Sequence, residues 1–167
     1  VGLELGFTRW LSFADPSKER RKTIIMSLIV CSKQFLVEAS WRNASDISGF
    51  AIALTAKMNA DLDLDPTEGT AMLRCNQFWA RYKLGEDIQE VEHWDVSGLH
   101  PRYSFLKSVL LRKFDDAIRI LETLLPRKNS GEPGNFSLAE AEEWPILEDL
   151  RSSTHYEALK QRLNEQA

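Results

Sequence analysis

The sequence is poor in the residues on which most metal, redox and nucleophilic chemistry depends. It holds two cysteines, Cys31 and Cys75, and three histidines, His93, His100 and His155. Two widely separated cysteines without CxxC spacing exclude a disulfide scaffold and a thiolate zinc module, which need more thiols at closer spacing. Both lie in apolar helical stretches, so buried, reduced thiols are expected. No histidine falls in HExxH or another metal spacing, and no metal or other cofactor is expected. Glycine is sparse as well. Gly131 and Gly134 lie in the polar stretch Arg127 to Asn135 without the Lys-Ser/Thr that holds phosphate, and no G-x-S-x-G elbow is present.

Long apolar runs are also missing. Lys18 to Lys22 precedes the apolar stretch Thr23 to Val30, which imitates a targeting signal. It lies inside the chain, no A-x-A-like site follows, and Ser32, Lys33 and Gln34 interrupt it before it spans a bilayer. A buried helix of a cytoplasmic protein is the expectation. The net charge of −4 and pI near 5.5 offer no electrostatic case for nucleic acid. Asp61, Asp63 and Asp65 alternate as in a calcium loop. Counted from Asp61, however, Pro66 and Met72 occupy the places of the turn glycine and the bidentate glutamate. Arg151 and His155 are too close in sequence for the Arg-His pair of HEPN ribonucleases, and they straddle a turn.

What remains is helical patterning cut by clear breakers. Asp15-Pro16 reads as an N-cap with proline at the first helical position. From Ser17 to Trp41, Ile24, Leu28, Cys31, Phe35 and Ala39 recur at helical spacing, widened by Ile25, Ile29 and Leu36. Asn43 or Ser45 caps a second helix to about Ala60. Asp65-Pro66-Thr67-Glu68 is a capping box, opening a helix that Gly85 stops; a shorter helix runs from Glu86 to about Trp94. Tyr103 to Arg112 and Phe114 to Leu125 read as two antiparallel helices. Ser137 and Glu140 form another capping box for a helix interrupted near Pro145, and Thr154 opens the last helix, with Tyr156, Leu159 and Leu163 inward. Of the tryptophans, each is expected in a core or seam with its indole N–H satisfied.

The fold class is therefore all-α: antiparallel helix pairs stacked as a short helical-repeat array in a single domain, 1–167. Residues 1–60 are two long helices behind an aromatic lead-in, and residues 65–167 are three repeat-like pairs. The pairs begin near Pro66, Pro101 and Ser137, about 35 residues apart, close to the period of about 34 in tetratricopeptide arrays. Arg112 to Pro126 resembles the second half of a tetratricopeptide unit, with Ala117 where adjacent helices approach closely. Trp144 to Leu163 is similar to a segment that closes such arrays in bacterial proteins, through Pro145, Leu150, Arg151 and Tyr156. The resemblance covers mainly residues 101–165. Phe105 and Ser108 depart from it, standing where the family prefers a small residue and a tyrosine.

That resemblance implies a non-enzymatic module binding a protein or peptide, within a longer bacterial protein; the start at Val1 rather than methionine adds to the expectation of a longer chain. Stacked pairs expose a surface lined by the first helix of each pair. The partner-binding candidates are Asn76, Arg81, Tyr82, Lys107 and Arg112, with Trp10 as an aromatic anchor. Self-association, or contact with further parts of a longer chain, is a second partner expectation. No nucleic acid and no membrane is expected. The alternative is a small effector or toxin-like enzyme of a bacterial conflict system, acting through His93, Asp95 and His100 around one turn.

Overall fold

The computed structural model describes residues 18–60, 67–125 and 143–165. Among these residues the chain is helix and turn, with no strand. No helix among them is long and apolar enough to cross a membrane. The chain divides into two compact units, Val1–Gln77 and Phe78–Ala167. Asp15-Pro16, the Asp61 to Asp65 run, and the capping residues Asp65, Ser137 and Glu140 lie outside the described residues, as does Trp10.

The first unit is built on α1 (Lys18–Val37) and α2 (Trp41–Ala60), packed along each other, and on the start of α3 (Thr67–Lys83). α2 begins at Trp41, before either expected cap. The turn from α1 needs only three residues, and Ala44 N already donates to Ser40 O at 2.9 Å. Ile24 and Leu28 of α1, Ala51 and Leu54 of α2 and Leu73 of α3 form the core, with Ile25, Ile29, Ile47 and Phe50 against it. Small residues allow α2 to come close. A Cβ on Gly49 would lie 2.8 Å from Gln77 Nε2, so glycine leaves room for that side chain.

The second unit holds the end of α3, the single turn α4 (Glu90–His93), α5 (Pro101–Leu110), α6 (Phe114–Leu124), a 3-10 turn (Pro145–Leu147), α7 (Glu148–Arg151) and α8 (Thr154–Glu165). Pro101 opens α5 with its φ preset for a helix, and His100 Nδ1 caps it by accepting from Arg102 N at 3.2 Å. α5 and α6 pack as a helix pair. α6 presents Ala117, Ile118, Leu121 and Leu124 inward at helical spacing, so Leu121→Ala is expected to cost about 2–5 kcal/mol. Ser153 opens α8, its Oγ accepting from Tyr156 N at 3.3 Å, and Tyr156 and Leu159 are buried.

Three expectations need correction. Cys31 is exposed, because the core-facing line of α1 runs through Leu28, Ser32 and Leu36 and leaves Cys31 to one side; only Cys75 is buried. The helix expected from Glu86 to Trp94 is reduced to Glu90–His93, since Asp87 Oδ1 accepts from Gln89 N and ties the preceding residues into a turn. The indole N–H groups of Trp79 and Trp144 are buried without a hydrogen-bond acceptor among the described residues; the Trp79 ring stacks on Tyr82 instead, at 5.3 Å between centroids.

α1, α3 and α5 all end in the same way. Ser40 N bonds Phe35 O and Ala39 N bonds Leu36 O; Glu86 N bonds Arg81 O and Gly85 N bonds Tyr82 O; Lys113 N bonds Ser108 O and Arg112 N bonds Val109 O. This is the Schellman pattern, whose central residue takes a left-handed conformation. Gly85 (φ 74°) does so freely, whereas Ala39 (φ 53°) and Arg112 (φ 58°) hold it against their Cβ.

Candidate functional site

The end of α3, the turn after α5 and the start of α7 bring together residues far apart in sequence. Tyr82 OH donates to Asp149 Oδ2 at 3.1 Å and accepts from Arg112 Nη1 at 2.6 Å. Arg112 Nη1 also reaches Asp149 Oδ2 at 2.7 Å. Beside them, Lys83 Nζ pairs with Glu148 Oε2 at 2.8 Å and lies 4.7 Å from the Trp79 ring centroid. The cluster therefore has a floor of stacked Trp79 and Tyr82 and a rim of two cations and two carboxylates. Asp149 is mostly buried and its charge is answered twice, as a desolvated carboxylate requires. Arg112 is 56% exposed in its side chain and lies over Phe114, 5.6 Å from the ring centroid.

Arg112 also borders a cavity of about 340 Å³, lined with Lys113, Phe114, Asp115, Asp116 and His155. There His155 Nε2 meets Asp115 Oδ1 at 3.2 Å, while Asp115 is 93% exposed. Among the described residues no group of three or more His, Cys, Asp or Glu side chains is placed to hold a metal ion.

The structure sorts the sequence candidates. Tyr82 and Arg112 meet. Arg81 instead pairs with Glu86 at 3.2 Å and with Glu90, and donates to Asp87 O at 2.6 Å, so it holds the loop after α3. Its hydrogen bond keeps the Glu90 carboxyl below the usual glutamate range. Lys107 Nζ donates to Glu92 O at 2.9 Å and Trp94 O at 2.7 Å, satisfying carbonyls at the end of α4. Asn76 is corrected outright. It is 1% exposed and its Nδ2 donates to Ser32 Oγ at 3.1 Å, so it is an internal tie of the first unit rather than part of a binding surface.

Of the residues of the alternative enzyme reading, Asp95 and His100 bond to nearby backbone. Asp95 Oδ1 accepts from Ser97 N at 2.9 Å, which lowers its carboxyl pKa, and His100 caps α5; His93 is exposed. The sequence reading missed Lys83, Glu148 and Asp149, and no local signal marks them: their significance is a pairing across 67 residues in the case of Tyr82 and Asp149. Compared with family models, curated proteins and solved structures, the chain finds no match.

Proposed function

We propose that this chain is a non-enzymatic helical-repeat module, tetratricopeptide-like in its second unit, which binds a protein or peptide partner as a cytoplasmic domain of a longer bacterial protein. The observation that carries the reading is the state of Arg112. Its Nη1 is anchored on Tyr82 and Asp149, and the guanidinium lies over Phe114 yet remains more than half exposed beside a cavity. An arginine held in place before binding loses little side-chain entropy on binding, and arginine is prominent among interface hot spots.

Two further features support it. α5 and α6 pack as an antiparallel pair across a three-residue turn, as the two helices of a tetratricopeptide unit do. Ala117, Leu150 and Tyr156, on which the family resemblance rests, are all buried. The test is affinity capture with the wild-type chain and Arg112→Glu, quantified by mass spectrometry. A defined set of captured proteins is expected to fall at least about tenfold with the variant, the size of a hot-spot loss, while the helical circular dichroism is kept. Equal capture by a folded Arg112→Glu variant removes this surface from the reading.

A further inference from the structure

α1 carries two stripes of the same polar and apolar pattern. Ile24, Leu28, Ser32 and Leu36 run down one side, and Met26, Val30, Lys33 and Val37 down the other. Each stripe has three aliphatic residues and one polar residue in third place. The first is buried, while Met26, Val30 and Val37 are 52%, 62% and 56% exposed. Ile25 and Ile29 flank the first stripe and pack against the core, so apolar area favours this facing. The hydrophobic effect is non-directional, however, and does not by itself fix the rotation of a helix that is apolar on both sides.

The polar residue of the buried stripe has partners waiting for it. Ser32 Oγ lies 2.6 Å from Ser48 Oγ of α2, and accepts from Asn76 Nδ2 of α3. All three residues are buried. Turning α1 to bury its other stripe leaves Ser48 and Asn76 without Ser32, and an unmade buried hydrogen bond costs more than a made one contributes. It also brings the Lys33 ammonium toward the core.

We propose that Ser32, Ser48 and Asn76 form a rotational lock that selects which face of α1 turns inward. The triad is not arranged for maximal stability, since Asn76 Oδ1 is buried with no partner among the described residues. Its contribution is to make one facing the sole one in which the polar groups of three helices meet. Buried polar groups set register in this way in other helical assemblies.

Thiol labelling tests the lock in the full chain. Cys31→Ser removes the exposed native thiol, and buried Cys75 reports that the unit stays folded. Leu28→Cys and Val30→Cys then report the two faces in separate variants. Leu28→Cys is expected to react at least about 100-fold more slowly than Val30→Cys, because a core position reacts only through opening. Lys33→Ser equalises the stripes, and with the triad intact the ratio is expected to hold. Adding Ser48→Ala and Asn76→Leu is expected to bring it within about tenfold, with Cys75 still protected, as both faces are then visited. Three results overturn the proposal: collapse in Lys33→Ser alone, which assigns the selection to Lys33; an undiminished ratio without the triad; or loss of Cys75 protection without the triad, which makes these residues necessary for folding rather than for choosing a face.

Discussion

Arg112 Nη1 and Asp149 Oδ2 are 2.7 Å apart, although 37 residues separate them in sequence. The same guanidinium nitrogen donates to Tyr82 OH, so one exposed arginine joins the end of α3 and the start of α7 from the turn between α5 and α6. That turn places Arg112 at a left-handed position where glycine is the usual occupant. The backbone pays a conformational cost there and the side chain returns an ion pair.

The two contributions are separable by mutation. Arg112→Ala removes the side-chain tie and keeps the left-handed cost, whereas Arg112→Gly removes both. Arg112→Gly is therefore expected to be more stable than Arg112→Ala by about 1 kcal/mol, read from urea midpoints. Ala39→Gly, where no tie is lost, is expected to raise stability by about 0.5–1 kcal/mol for the same reason. If glycine proves no better than alanine at either position, the backbone cost is not as described.

The two thiols are expected to behave differently. Burial pushes the Cys75 thiol well above its usual pKa, and Cys31 is exposed. An excess of a thiol reagent at pH 8 is expected to titrate one thiol per native chain and two after denaturation, since the thiolate reacts and must be reached. Rapid modification of both in the native chain contradicts the burial of Cys75.

Glu90 provides a pH signature in the loop after α3. Its folded pKa is depressed below the ordinary 4.5, chiefly by the hydrogen bond from Arg81. A depressed carboxylate contributes stability that is present above its unfolded pKa and is lost as pH falls through the folded value. The Glu90 side chain is half exposed, so solvent screens the pair and the effect on global stability is small. A carboxyl NMR titration of Glu90 is expected to give a midpoint below 4.5, returning toward 4.5 in Arg81→Gln. A midpoint that ignores Arg81→Gln rejects the pairing.

Local signals accounted for much of the fold. Gly85 stops α3 and is its left-handed cap, Pro101 opens α5 at its first position, and α8 starts at Thr154 as expected, capped by Ser153. Ala39 and Arg112 take the same cap geometry as Gly85 without any glycine to announce it. Their conformation follows from the three-residue turns that return α2 and α6 onto their partners. The candidate site was half legible: Tyr82 and Arg112 stood out as an aromatic and a cation on expected helices, while Asp149 became significant only when the chain brought it to them.

By itself the sequence determined that this chain is helical and where most helices break, because apolar spacing, proline, glycine and capping side chains act within a few residues. Only the tertiary structure decided that Ser32 sits among buried partners, that Cys31 lies outside the core, and which charges are consumed internally. Apolar spacing is read within one helix, whereas Ser32 with Asn76, and Arg112 with Asp149, are pairings that exist only when distant segments meet.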